Sequence, residues 1–135
     1  MDSIELHIGL PILNALCMAF FAVLFLQSGT DKVKDWKGNL AWLKGHFEDT
    51  LLANVVPALL GIVTFTELLA GVASAVGVVE VLFYSSNIIA SFALLLCLFN
   101  ILVLFTGQRI AKDYAGAAVL VNYFLLGIVC LVLLR

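Results

Sequence analysis

Polar and apolar positions along this chain fall in blocks. Four apolar runs, each near the ~20 residues that a bilayer-spanning helix needs, are separated by short stretches holding charge or glycine. The pattern predicts helices over residues 6–28, 52–77, 83–106 and 114–134. Pro11, near the start of the first, removes one backbone hydrogen bond, and Gly29 is placed to cap its C-terminus. The second carries Pro57 near its start, where proline is tolerated. Its later half (Ala70, Gly71, Ala73, Ser74, Ala75, Gly77) is small enough to let helices approach closely in lipid. The next turn is broad, since Gly77–Glu80 and Tyr84–Asn87 both offer a break, and the third helix begins within 81–87. Gly107 ends it, and Asp113 is a suitable cap for the fourth.

Residues 30–50 follow a different rule. Asp31, Lys32, Lys34, Asp35, Lys37, Lys44, Glu48 and Asp49 are interleaved with Val33, Trp36, Leu40, Leu43 and Phe47 at spacings of three and four, which puts the apolar set on one helical face. Tryptophans among lysines suit a helix lying in the membrane interface. The fold class is therefore an all-α membrane protein, a four-transmembrane-helix bundle with an amphipathic interfacial segment between helices 1 and 2. The whole chain reads as a single polytopic membrane domain.

Composition agrees. Of 135 residues, 64% are hydrophobic and 12% charged, against about 45–50% apolar in an ordinary soluble domain, and the mean hydropathy is +1.16. That leaves too little polar surface to cover a soluble globule. The acidic start Met1-Asp2-Ser3-Ile4-Glu5 lacks the basic region of a signal peptide, so the first run is expected to be a permanent helix. Cys17, Cys97 and Cys130 sit inside apolar runs with no C-x-x-C spacing, which favours packing roles over a redox pair between Cys17 and Cys97. Lys32, Lys34, Lys37, Lys44, Arg109 and Lys112 all fall in the helix 1–2 and 3–4 connections, and only Arg135 lies opposite. The positive-inside rule thus places residues 30–50 and 107–113 in the cytoplasm and both termini outside. Ser28–Trp36 also echoes Thr106–Tyr114, with Gly, Lys and Asp in register, as a duplicated hairpin or chance would leave.

Glu67 is the only charged residue between Leu51 and Val79. An ionised side chain at a membrane-helix centre costs roughly 2.5–3.5 kcal/mol on insertion scales, so an intramembrane carboxyl is either a helix-bridging group or a proton or ligand site. Counted from Ser28 and Ala53 at about 1.5 Å per residue, Asn14 and Glu67 both lie about 21 Å deep. Glu67 is then expected to face Asn14, with Thr64 one turn away and Tyr123 on the last helix as further ligand-binding candidates. Burial favours the neutral acid, and on this count no basic residue shares its depth, so Glu67 is expected to be protonated and is the candidate proton site. Lys32, Arg109 and Lys112 form a basic rim at the cytoplasmic boundary, suited to lipid phosphate, a small anion or a quinone head group. His7 and His46 cannot make a bis-His haem site. No nucleotide-binding loop, nucleophile–base pair, metal cluster or nucleic-acid signature is present.

The order Phe25-Leu26-Gln27-Ser28-Gly29-Thr30-Asp31-Lys32, then Glu67-Leu68-Leu69-Ala70-Gly71, then Gly107-Gln108-Arg109-Ile110-Ala111-Lys112-Asp113-Tyr114-Ala115-Gly116 resembles the DoxX family. The similarity covers nearly the whole chain, with Glu67 and then Lys32 the positions that best match; residues 30–50 do not match residue by residue. It implies a small four-helix protein of the bacterial inner membrane. It further implies a relation to the membrane subunit of a thiosulfate:quinone oxidoreductase, with quinone as a diffusible cofactor and another membrane or cytoplasmic redox subunit as partner. Three readings stay open: a quinone-linked or accessory redox subunit, a non-catalytic lipid-binding or partner-scaffolding module, and a proton-coupled transporter, for which four short helices leave little room unless the protein forms a homo-oligomer. No cofactor is expected to be intrinsic to the chain.

Overall fold

The computed structural model describes the backbone of residues 3–134 and the side chains of residues 9–134. Met1, Asp2, Arg135 and the side chains of residues 3–8, His7 and Glu5 among them, lie outside the described residues. Five helices follow in order: α1 (Ser3–Lys34), α2 (Trp36–His46), α3 (Val56–Phe83), α4 (Ile88–Ile110) and α5 (Tyr114–Leu133). Four are long and apolar enough to cross a membrane, over Gly9–Lys34, Val56–Phe83, Ile88–Ile110 and Tyr114–Leu133. The chain is thus a multi-pass helical membrane bundle in which α2 is the short insertion between the first two spans.

Several helix ends differ from those expected. α1 does not stop at Ser28. Gly29 has no left-handed backbone, so it caps nothing, and Thr30 Oγ1 donates back to the Leu26 carbonyl at 2.6 Å. The helix runs on until Lys32 and Lys34 occupy its last turn, where cations suit the helix dipole. Residues 52–55 form turns, and α3 opens only at Val56 with Pro57 in its first turn. Gly77 does not end α3 either. A Cβ there would lie 3.2 Å from the Ala90 Cα and 3.1 Å from the Met18 methyl, so Gly77 is a point of close helix packing. The reversal comes later, at Ser85 (φ 47°), and α4 starts at Ile88 and continues past Gly107 to Ile110 before Lys112 (φ 59°) turns the chain.

Three carboxylates organise the helix starts. Asp35 accepts from the Gly38 N–H at 3.2 Å and opens α2. Asp113 accepts from the Gly116 N–H at 2.9 Å and opens α5, as expected. The echo between Ser28–Trp36 and Thr106–Tyr114 thus has a local counterpart, a helix end followed by an Asp cap. Glu80, buried near the end of α3, accepts from the Ile89 and Ala90 N–H groups at 3.0 and 2.9 Å and from the Ser86 hydroxyl at 3.2 Å. It supplies the acceptors that the first turn of α4 needs. Asn87 Nδ2 then donates to the Leu134 carbonyl, tying this turn to the end of α5.

Packing is sequential: α3 lies between α1 and α4, α4 between α3 and α5, and α1 touches α5 less. Met18, Phe21 and Phe25 of α1 meet Ala70 of α3, Ala90, Leu94, Cys97 and Ile101 of α4, and Cys130 of α5 in one core. Large apolar side chains such as Leu16, Val23, Phe65, Phe92 and Leu125 point outward. In lipid this costs nothing, and helix association rests on close packing and polar contacts.

The α1–α3 contact is closest at two glycines. A Cβ on Gly71 would lie 2.8 Å from the Leu26 backbone nitrogen, whereas one on Gly29 meets mainly the end of the Leu68 side chain. Gly71→Ala must move a backbone and is expected to destabilise the bundle by about 1–3 kcal/mol. Gly29→Ala should be milder because Leu68 can change rotamer. Gly45→Ala, with open space around it, should be neutral or slightly stabilising. Thermal unfolding of the three variants in one detergent checks the ranking.

Candidate functional site

The glycine contacts set the register of α1 against α3. With Gly29 beside Leu68 and Leu26 beside Gly71, Lys32 falls next to Glu67. Lys32 Nζ donates to Glu67 Oε2 at 3.0 Å and to Ser28 Oγ at 2.8 Å, with the Ser28 carbonyl farther off at 3.4 Å. The Glu67 side chain is 0% exposed and that of Lys32 18%. This overturns the premise for a neutral carboxyl, because a base does share its depth. Glu67 is one half of a buried ion pair, held where a lone charge would be expensive. Its second oxygen, Oε1, has no hydrogen-bond partner among the described residues.

The other expected ligands of Glu67 are elsewhere. Asn14 sits about 27 Å from Lys32 along α1 at 1.5 Å per residue, too far for one carboxyl to meet both. It is buried, and its Oδ1 has no partner among the described residues. The depth count failed because it assumes that α1 and α3 share an end, whereas the last turn of α1 stands beside Glu67, in the interior of α3. Thr64 does lie one turn from Glu67 but donates to the Leu60 carbonyl at 2.6 Å. Tyr123 packs its ring 6.1 Å from that of Phe20 at the α1–α5 contact. The basic rim does not converge: Lys32 is paired with Glu67, the Arg109 guanidinium lies 4.5 Å from the Tyr114 ring centroid, and Lys112 is exposed.

Beyond the ion pair, α3 is tied to α4 by Thr66 and Asn100. Thr66 Oγ1 donates to Asn100 Oδ1 at 2.7 Å, and Asn100 Nδ2 donates to the Thr66 and Leu96 carbonyls at 3.1 and 3.0 Å. Cys97 contacts Ser74 across the same interface at 3.5 Å, and all three cysteines are free thiols.

A partly open cavity of about 440 Å³ lies at the α2 end of the bundle. Its walls are almost wholly apolar, from α3 (Val56, Leu60, Val63) and α4 (Leu102, Val103). Trp42 and His46 of α2, with Phe47 just after it, cover the cavity, and Lys32 lines it too. His46 stacks on Trp42 at 4.5 Å between centroids and shares a 2.9 Å hydrogen bond with Gln108, with Asp113 3.9 Å away. Of the apolar face expected to rest on the membrane, Leu43 and Phe47 line this cavity, while Val33 and Trp36 stay exposed.

No protein-family model, curated protein or solved structure matches the chain.

His46 and Gln108 were not singled out from the sequence. The one available signal was that both belong to connections assigned to the same side of the membrane. For Glu80, the signal was an acidic residue just before Ser-Ser-Asn and a fresh apolar run. The assembled site can enclose an apolar molecule and offer it one ammonium whose charge a buried carboxylate already balances.

The pair itself is open to test. Lys32→Met leaves Glu67 buried without its cation and is expected to lower stability by about 3–5 kcal/mol, whereas Lys32→Met with Glu67→Leu should recover most of the loss. Chemical unfolding of these two and of Glu67→Leu alone in one detergent, as a double-mutant cycle, checks this; equal stability of Lys32→Met and wild type would contradict it.

Proposed function

We propose that the protein is a DoxX-like integral membrane protein of the bacterial inner membrane that binds a quinone in the cavity under α2. In this reading it serves as a quinone-linked or accessory subunit of a thiosulfate- or thiol-related redox system. The basic connections face the cytoplasm and the termini the outside, and a partner subunit supplies the path for electrons. The carrying observation is the cavity: about 440 Å³, apolar on nearly all sides, with Lys32 among its few polar lining groups. Small-molecule sites are typically about 300–1,000 Å³ and combine such walls with a few orienting polar groups. A flat apolar ring with a carbonyl at its edge suits that shape and that donor. The exposed Trp42 and the lysines Lys37 and Lys44 along α2 favour the second reading, a lipid-binding or scaffolding module.

Purification in mild detergent followed by extraction of bound small molecules tests the proposal. Wild type is expected to carry a quinone, and Val63→Trp, which fills the cavity, is expected to lose it while staying folded. A wild type without quinone, or a filled variant that keeps it, would contradict the proposal.

A further inference from the structure

An ammonium has three N–H donors. In Lys32 two have good acceptors, Ser28 Oγ at 2.8 Å and Glu67 Oε2 at 3.0 Å, and the third has only the distant Ser28 carbonyl at 3.4 Å. Lys32 also lines the cavity, where it is the one lysine or arginine among the described residues. Its third N–H can therefore turn to a guest without breaking the bond to Glu67. A neutral carbonyl oxygen needs one donor and no countercharge. An anionic head would compete with Glu67 for the same ammonium, and winning would strand a carboxylate that is 0% exposed and already has one oxygen without a partner. A cationic head would meet like charge. The other titratable group in the lining, His46, shares its Nε2 with Gln108 and faces Asp113 at 3.9 Å.

We infer that the Lys32–Glu67 pair is the specificity element of this cavity: Lys32 donates its third N–H to the ring carbonyl of a neutral quinone-type ligand, and Glu67, by neutralising Lys32, turns away anions. This rests on the cavity being the ligand site proposed above. Lys32 touches the ligand. Glu67 is a positioning residue that acts through Lys32.

The test is equilibrium binding in zwitterionic nanodiscs of two probes of one shape, a neutral alkyl naphthoquinone and its ring-hydroxylated analogue, which is an anion at neutral pH. Wild type is expected to prefer the neutral probe by about tenfold or more, because the anion must displace a buried charge partner. Glu67→Gln leaves Lys32 uncompensated and is expected to reverse the preference. Lys32→Gln with Glu67→Gln carries neither charge, remains testable if the single variant does not fold, and is expected to bind both probes more weakly without discriminating. Parallel changes in both affinities, with the preference unchanged in every folded variant, would overturn the inference. If binding is then still blocked by Val63→Trp, the cavity reading survives alone. Failure of wild type to bind either probe, with a phospholipid chain retained in the cavity instead, would overturn both.

Discussion

A carboxylate with none of its surface exposed, set in an apolar helix, constrains everything around it. Without a cation it would have to be neutral or would expel its helix from lipid. Here the cation comes from Lys32, and several features follow from bringing it into reach. α1 must run on beyond Gly29, α1 and α3 must meet at Gly29 and Gly71, and Ser28 must offer a second acceptor to the ammonium. Each of these is local and each is needed, since a change of register by one helical turn would leave both charges unpaired.

The same economy governs the rest of the bundle. In a medium without water, polar groups must find partners inside the protein. Thr66 with Asn100 staples α3 to α4 within the spans, while at the helix ends Glu80, Asp35 and Asp113 serve the first turns of α4, α2 and α5. These contacts sit at helix ends or between neighbouring helices and leave the cavity at the α2 end lined by apolar side chains, with His46, Gln108 and Lys32 as its polar edge. Glu67 Oε1 and Asn14 Oδ1 stand out as buried oxygens with no partner among the described residues.

The bundle was legible in the sequence because span length and apolar run length are tied by the bilayer, and α5 opens at Tyr114 as Asp113 indicated. Helix ends were less legible. Gly29, Gly77 and Gly107 look like stops in the sequence, yet in lipid a glycine inside a helix also permits close approach, and all three are helical. Counting depth from Ser28 puts Lys32 in a surface rim and Asn14 opposite Glu67, whereas the glycine contacts offset α1 along α3 so that its last turn, with Lys32, meets Glu67. The roles of His46 and Gln108 depend on α2 folding over the α3–α4 groove, a tertiary event that no local pattern marks. Glu80 shows the reverse case, a buried acid whose purpose is visible only once the break at Ser85 is located.

The most direct test of this account is the ionisation of Glu67 at neutral pH. Infrared difference spectroscopy of protein with carbon-13-labelled glutamate side chains, wild type against Glu67→Gln, isolates the signal of this one residue. The buried ion pair predicts a carboxylate stretch that vanishes in Glu67→Gln. A protonated carboxylic-acid carbonyl stretch at Glu67 instead would show that Lys32 does not hold it as an anion, and the account built on that pair would fall.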